Sequence, residues 1–173
     1  MGLRKQLALL LIAIPLALRP LMAQSPPAAY RDTWSVRALD GRLVPMASLR
    51  GRVVFLHVWA TWCAQCRPEL RTIARLRATL TERGLSDAVA FVLVSPESER
   101  QVTRWMGRDM LTDAVYLEAD RIPAELQVLA LPTTHIVGRD GVIAYSARGA
   151  GRWDDPKVLA LLTALAKSKE ARP

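Results

Sequence analysis

The sequence predicts an α/β fold in which a central mixed β-sheet is flanked by helices and preceded by a β-hairpin. Two apolar runs of strand length, 53–59 and 89–94, are each followed by a segment with the features of a helix. Near the end of the chain, turn residues separate two more strand-like segments, and a last helical segment follows. Strands joined by helices, followed by a hairpin, give a sheet with strands of both directions.

The first predicted elements are a hairpin, a buried strand and a long amphipathic helix. Apolar and polar residues alternate on both sides of the Asp-Gly turn at 40–41, which predicts a hairpin over 34–45. The run 53–59 is apolar on both faces apart from one histidine, as is typical of a strand inside a sheet. After Cys63, apolar residues recur at spacings of three and four, which predicts a helix that ends at Gly84.

Shorter elements are predicted for the second half of the chain. The apolar run 89–94 is typical of a second buried strand. Ser95 and Pro96 then supply a cap and a first helical position for a helix that extends to about residue 108. The remaining predicted elements are a strand at 114–117, a short helix at 123–129, a hairpin of strands 134–137 and 142–146, and a helix capped by residues 154–156.

The composition is that of one compact globular domain, since 51% of the 173 residues are hydrophobic and 23% are charged. We place this domain at residues 34–168, with a short tail at 169–173. The net charge is +8, but no long run of basic residues occurs, so we expect no nucleic-acid partner. Because Cys63 and Cys66 are the only cysteines, the chain has neither a framework of several disulfides nor a zinc site built from four cysteines.

Residues 1–23 have the layout of a secretory signal. A basic start precedes an apolar stretch at 7–18, and Ala23 ends the segment at a site suited to signal peptidase. As a helix, that stretch measures roughly 18 Å against a hydrocarbon core of roughly 30 Å, so we favour cleavage over an uncleaved membrane anchor. Residues 24–33 form a Pro-rich, flexible lead-in. Both alternatives predict export, to the periplasm or to the outer face of the cytoplasmic membrane.

The pair Cys63 and Cys66 carries the chemistry that the sequence predicts. A buried strand leads into a turn, and Cys63 falls at the amino end of the next helix, where backbone N–H groups and the helix dipole favour a thiolate. We therefore expect Cys63 to be the nucleophile and Cys66, one turn deeper, to resolve a mixed disulfide. A purely stabilising bridge is the alternative, but closing so short a loop contributes only about 2 kcal/mol.

The segment 59–67, Trp-Ala-Thr-Trp-Cys-Ala-Gln-Cys-Arg, resembles the active site of thioredoxin-fold thiol-disulfide oxidoreductases, specifically the exported TlpA/ResA-like branch. The 40–41 turn with the segment 48–51, and the segments 131–134 and 139–143, agree with that branch. The resemblance implies a thioredoxin-like fold and a protein-disulfide reductase without a cofactor, acting on exported proteins such as apocytochrome c or copper-site proteins. It also implies a membrane electron donor of the DsbD/CcdA type, and we expect a monomer.

The same resemblance implies roles for residues around the cysteines. Pro132 would be a cis-proline that faces the pair, and Leu131 would offer its backbone to an extended substrate segment, with Thr133 completing the motif. Trp62 would cover one side of the site. Glu69 matches a glutamate that handles protons in relatives of the cytochrome-maturation type; the alternative is a solvated acid in the first helical turn.

His57 departs from the family, because TlpA/ResA-like proteins usually carry asparagine six residues before the first cysteine. Its neighbours on the strand are apolar, so its side chain is expected to lie beneath the active site. It is either a base that takes the proton of Cys66 or a neutral, hydrogen-bonded core histidine. His135, three residues after Pro132, is expected to pack or to face solvent.

Two other functions on this fold stay open. In a copper carrier, Cys63, Cys66 and a histidine would hold Cu(I), because soft thiolates suit that ion. Related copper carriers, however, space their cysteines differently. A peroxidase of the peroxiredoxin type would need the pattern P-x-x-x-T-x-x-C, and this chain has Leu56 and Ala60 where the proline and threonine would stand.

Overall fold

The structure is a computed structural model that describes residues 33–106 and 111–168. The strands in these ranges are β1 (Ser35–Ala38), β2 (Leu43–Pro45), β3 (Val53–Val58), β4 (Val89–Ser95), β5 (Val115–Glu118), β6 (Thr133–Val137) and β7 (Ile143–Arg148). The helices are α1 (Cys66–Glu82), α2 (Glu99–Met106) and α3 (Pro156–Lys167), with 3₁₀ turns at Met46–Leu49 and Ala124–Leu126. The predicted signal, nearly all of the lead-in and the tail lie outside the described residues.

The strands form one sheet in the order β2-β1-β5-β4-β3-β6-β7. The three central strands β5, β4 and β3 are mutually parallel, whereas β1, β2, β6 and β7 are antiparallel to their neighbours. This topology confirms the predicted α/β fold with a central mixed sheet, flanking helices and an N-terminal hairpin. Because β3 lies between β4 and β6, the segment that follows it emerges from the interior of the sheet.

Side chains of the central strands build a core on each face of the sheet, since successive residues of a strand point to opposite faces. All six residues of β3 are buried, as its apolar run predicts. One face packs against apolar residues from all three described helices, among them Leu70, Val102 and Leu162. The other face is covered by residues of the hairpin region and the 3₁₀ turns, among them Trp34, Met46 and Leu126.

Helix α1 begins at Cys66, three residues later than the sequence predicts, with Gln65 as its N-cap. The Cys66 N–H closes a turn onto the Cys63 carbonyl at 3.1 Å. Pro68 lies in the first helical turn, where its missing N–H costs no intrahelical hydrogen bond. Cys63 therefore precedes the helix, and only Cys66 lies within it. Beyond the other end of α1, Gly84 has the left-handed backbone expected of a helix terminator, with φ 69°.

The predicted N-terminal cap of α2 is wrong. Ser95 is the last residue of β4, and α2 begins only at Glu99. Ser98 and Gln101 form the cap: the Ser98 N–H donates to Gln101 Oε1 at 3.2 Å, and the Gln101 N–H donates to Ser98 Oγ at 3.4 Å. Such a reciprocal pair satisfies two N–H groups at once, and for this reason Ser98 rather than Ser95 caps the helix.

The helix predicted at 123–129 is a single 3₁₀ turn, Ala124–Leu126. Gln127 ends it with a left-handed backbone at φ 46°, through which a right-handed helix cannot continue.

The cap of α3 is as predicted, since Asp155 accepts a hydrogen bond from the Lys157 N–H at 2.7 Å. Over 33–106 and 111–168, we find no helix of the length and hydropathy that a membrane crossing needs.

Candidate active site

The cysteine pair lies just beyond the C-terminal end of β3. Trp59, the first residue after the strand, donates its N–H to the Val94 carbonyl of β4 at 3.0 Å, which holds the outgoing chain against the sheet. The Cys63 N–H then closes a turn onto the Ala60 carbonyl at 3.1 Å. Cys63 and Cys66 are joined by a disulfide, with their Cα atoms 5.4 Å apart. The structure therefore describes the oxidised state of the pair.

The two cysteines differ in accessibility. Cys63 is 8% exposed, whereas Cys66 is completely buried. Trp62, immediately before Cys63, is 70% exposed, which is unusual for so large an apolar side chain. Of the pair, only Cys63 retains any exposed surface. This is the arrangement that a nucleophilic first cysteine and a resolving second cysteine require.

A second loop lies beside the cysteine segment because β6 pairs antiparallel with β3, which places Thr133 opposite the last residue of β3. The Leu131–Pro132 peptide bond at the start of β6 is cis, as the resemblance implies. The Thr133 hydroxyl donates to the Ala130 carbonyl at 2.6 Å, and the Gly149 N–H donates to the Pro132 carbonyl at 2.8 Å. These two hydrogen bonds fix the loop from both sides.

Glu69 is buried, with 2% of its side chain exposed, so its interpretation as a solvated helix acid is wrong. Its Oε1 accepts hydrogen bonds from the Gly151 N–H at 2.6 Å and from Trp153 Nε1–H at 2.9 Å. Burial raises the pKa of Glu69, while these two hydrogen bonds act in the opposite direction because they favour the carboxylate. Glu69 follows Cys66 by three positions, which places both on one face of α1.

His57 is completely buried beneath the same site. Its Nδ1 lies 2.8 Å from Thr134 Oγ1 on β6. Its Nε2 lies 3.9 Å from Glu69 Oε2, and within the described part of the chain neither of these two atoms has a hydrogen-bond partner. Burial lowers the pKa of His57 to about 3, so the imidazole is neutral at neutral pH. These contacts favour the core-histidine interpretation over a base that takes a proton from Cys66.

His135 lies on the opposite face of the sheet from the cysteine site, because its side chain and that of Thr134 alternate along β6. Its Nδ1 is 2.8 Å from Ser146 Oγ on β7, and its side chain is buried. Burial lowers the pKa of His135, which favours the neutral ring. Of the two expected alternatives, His135 packs, and it does not join the cysteine site.

The copper-carrier alternative needs both cysteines and a histidine. Here the cysteines are bonded to each other, and the His57 and His135 rings bond to Thr134 and Ser146 respectively. Over residues 33–106 and 111–168, we find no group of three or more His, Cys, Asp and Glu side chains placed to hold a metal ion.

Sequence reasoning missed three residues that surround Glu69 and His57: Gly151, Trp153 and Thr134. Gly151 and Trp153 lie 82 and 84 residues after Glu69, and Thr134 lies 77 residues after His57. The Trp153 N–H also donates to Thr72 Oγ1 of α1 at 3.1 Å, which fixes the tryptophan against the helix. No local sequence pattern predicts these contacts, because the folded sheet alone brings the segments together.

Replacement of Gly151 by alanine is expected to disturb Glu69 through Trp153. A Cβ at position 151 would lie 2.9 Å from Trp153 Cζ2, so the indole must move and its hydrogen bond to Glu69 weakens. We expect a loss of about 1–3 kcal/mol in the free energy of unfolding, measured by urea denaturation. The neighbouring exposed change Ala150→Ser is the control and should stay within about 0.5 kcal/mol of the wild type. Equal stability of the two variants would contradict this account.

A cysteine disulfide just after a central strand of a thioredoxin-like sheet, beside a cis-proline loop, is the construction of the thioredoxin-fold thiol-disulfide oxidoreductases. The chain belongs to the AhpC/TSA family, whose sequence model matches residues 31–146. Its relatives confirm the resemblance to the TlpA/ResA-like branch of the thioredoxin fold.

The chain is 31% identical over 110 residues to the thioredoxin-like protein YneN of Bacillus subtilis, covering 64% of each chain. It is 28% identical over 109 residues to the thiol-disulfide oxidoreductase ResA of Bacillus cereus, covering 62% of this chain and 61% of ResA. The chain thus spans less than two thirds of the length of these relatives. A secreted Mycobacterium tuberculosis disulfide oxidoreductase homologous to E. coli DsbE has the same fold, with a TM-score of 0.61 and 20% identity; 77% of this chain and 96% of that one are covered.

Proposed function

We propose that this protein is an exported reductase of disulfides in other exported proteins. The observation that carries the proposal is the asymmetry of the cysteine pair, in which Cys63 reaches the surface beside the exposed Trp62 and Cys66 is completely buried. Similarity to a thiol-disulfide oxidoreductase and to a secreted disulfide oxidoreductase supports the chemistry and the export. The signal-like segment at 1–23 supports export independently.

The proposed cycle begins from the reduced pair. The Cys63 thiolate attacks one sulfur of a substrate disulfide, a Cys63–substrate disulfide forms, and the other substrate sulfur leaves as a thiolate. Cys66 then loses its proton and attacks Cys63 Sγ, which forms the Cys63–Cys66 disulfide and releases the second substrate thiolate. Two electrons pass to the substrate, and its two thiolates each take up a proton. The disulfide in the structure corresponds to the protein at the end of this cycle.

Exposed apolar side chains occur on the segment of Cys63 and on the segment that precedes Pro132, which suits contact with an extended substrate segment. Trp62 is 70% exposed, and the segment before Pro132 contains Leu129, which is 78% exposed, and the half-buried Leu131. The Pro132 carbonyl is already used by the Gly149 N–H, so we assign contact with the substrate backbone to Leu131. Leu129 was not predicted from the sequence, because its exposure depends on the conformation of the loop.

Glu69, and not His57, is the group that we propose takes the proton from Cys66. The two residues share a face of α1, and among the described residues Glu69 Oε2 has no hydrogen-bond partner that would compete for its lone pairs. Burial raises the pKa of Glu69, which makes its carboxylate a better proton acceptor than a solvated one. His57 is a poor acceptor by the same reasoning, because burial lowers its pKa to about 3.

Each turnover leaves the protein oxidised, so a donor must return two electrons to the Cys63–Cys66 disulfide. We propose a membrane protein of the DsbD/CcdA type as that donor, and apocytochrome c or copper-site proteins as substrates. The similarity to ResA, a thiol-disulfide oxidoreductase, supports disulfide-containing proteins as the general class of substrate.

The experiment that tests the proposal is reduction of insulin by the purified full-length protein with dithiothreitol as the terminal reductant. We expect precipitation of the insulin B chain well above the dithiothreitol background, and a return to that background in Cys63→Ser. Parallel assays of hydrogen peroxide consumption and of Cu(I) titration separate the two alternatives. Peroxide turnover or stoichiometric Cu(I) binding without insulin reduction would show that the proposed function is wrong.

A further inference from the structure

Glu97 binds the turn that carries the active-site cysteine, although it lies on a different segment. It follows β4, and its carboxylate accepts two short hydrogen bonds from Thr61. The Thr61 N–H donates to Glu97 Oε2 at 2.6 Å, and Thr61 Oγ1 donates to Glu97 Oε1 at 2.6 Å. One carboxylate thus holds both the backbone and the side chain of a residue that precedes Cys63 by two positions.

Glu97 is itself held in place by the end of β4. The Ser95 hydroxyl donates to Glu97 Oε2 at 3.2 Å, and the Glu97 N–H donates to Ser95 Oγ at 3.3 Å. Because β3 and β4 are parallel neighbours and stay paired as far as Val58 and Val94, the two segments leave the sheet side by side. The carboxylate therefore joins the rigid end of β4 to the turn that follows β3.

These contacts are suited to fix the geometry of a turn. Hydrogen bonds to an ionised carboxylate are shorter and stronger than bonds between neutral groups, and two of them restrain both position and rotation of Thr61. Both residues are half-buried, so water competes with the pair less than at an open surface. Trp62, which is 70% exposed, and Cys63 follow Thr61 directly in the chain.

We propose that Glu97 is a positioning residue for disulfide exchange, acting through Thr61 to hold Trp62 and Cys63 where a substrate disulfide can approach. The inference rests on the proposed function. Glu97 makes no hydrogen bond to either cysteine among its contacts in the structure, so it acts on geometry and not on the sulfur directly. Neither local spacing nor the resemblance to the family assigns this residue a role.

The test compares kcat/KM for insulin in two variants of Glu97. In Glu97→Ala both hydrogen bonds to Thr61 are lost, and we expect kcat/KM to fall about tenfold, since small misplacements of reacting groups are costly. Glu97→Gln keeps an amide oxygen for the Thr61 N–H and an NH₂ group that can donate to Thr61 Oγ1. We expect this variant to recover kcat/KM to within about threefold of the wild type. Glu99→Ala, which removes an exposed carboxylate two residues away, is the matched control.

Amide hydrogen exchange at Thr61 reports on its hydrogen bond to Glu97 and does not depend on activity. The exchange should speed up in Glu97→Ala and stay slow in Glu97→Gln. Equal losses of kcat/KM in the two variants would overturn the proposal, because charge rather than position would then matter. Unchanged kcat/KM in a folded Glu97→Ala would overturn it as well. If that variant does not fold, Thr61→Val removes one bond only, and its kcat/KM must fall about threefold for the proposal to stand.

The failure of the proposed function is distinguishable from the failure of this inference. A wild-type protein that does not reduce insulin contradicts the proposed function. A wild-type protein that reduces insulin equally well with and without Glu97 contradicts only the positioning role.

Discussion

Replacement of Cys66 by alanine is expected to stop turnover and to leave the substrate attached to Cys63. Cys63 still forms the mixed disulfide because it is the accessible member of the pair, but no buried thiol remains to release the substrate. We expect kcat for insulin reduction to fall by about three orders of magnitude, the scale on which loss of an essential covalent group acts. Mass spectrometry of the reduced variant after mixing with insulin measures the covalent adduct.

The matched control for Cys66→Ala is Cys63→Ala, in which only the buried Cys66 remains. We expect no adduct in this variant, because Cys66 is completely buried. Adduct formation in Cys63→Ala at the rate seen in Cys66→Ala would reverse the assigned roles of nucleophile and resolving cysteine.

Replacement of His57 by asparagine is expected to flatten the pH dependence of stability below about pH 6.5. The folded pKa of His57 is lowered to about 3, so between these two values the unfolded chain binds more protons than the folded one. Stability in the wild type therefore rises with pH in this window and is lost as the pH falls, by up to about 1.4 kcal/mol per pH unit. Asparagine does not titrate, so the variant lacks this contribution.

Glu69, which faces His57, contributes a slope of the opposite sign. Its folded pKa is raised, so its contribution to stability is present below the unfolded pKa and is lost as the pH rises through the folded one. The comparison of wild type with His57→Asn leaves that contribution in both proteins and isolates the histidine. Urea denaturation at several pH values from 4 to 7 measures how the free energy of unfolding changes with pH in the wild type and in His57→Asn. Identical pH dependences in the two proteins would contradict a buried neutral His57.

The kinetics of His57→Asn provide a second check of the same residue. Because the imidazole is neutral and bonds to Thr134 rather than to a cysteine, resolution of the mixed disulfide by Cys66 should stay within about threefold of the wild-type rate. A slowing of about 100-fold or more in stopped-flow measurements of this step would restore His57 as the base for Cys66.

Much of the fold was predictable because its signals are local. The apolar run of β3 and the three- and four-residue spacing in α1 each lie within one continuous segment, and both elements occur close to the predicted positions. The beginnings of the helices were less predictable. The α2 cap depends on a choice between Ser95 and Ser98, and only hydrogen bonding to Gln101 decides it.

The roles of single polar residues could not be predicted in the same way. For Glu69, the sequence allowed both a proton-handling group and a solvated acid, because an acid in the first turn of a helix is compatible with either. Its burial follows from Trp153 and Gly151, which lie between β7 and α3 and contact Glu69 of α1 only in the folded chain.

By itself, the sequence determined the order of strands and helices and the location of the cysteine pair at the end of β3, because periodicity and turn residues act over a few neighbours. Only the tertiary structure decided which polar groups are buried and which partners they have. Glu69 pairs with Trp153, His57 with Thr134 and Thr61 with Glu97, across separations of 84, 77 and 36 residues. The physical reason is that burial and hydrogen bonding depend on neighbours in space. The β3–β4 pairing brings Glu97 to Thr61, the β3–β6 pairing brings Thr134 to His57, and Trp153 contacts Glu69 of α1 from the segment after β7.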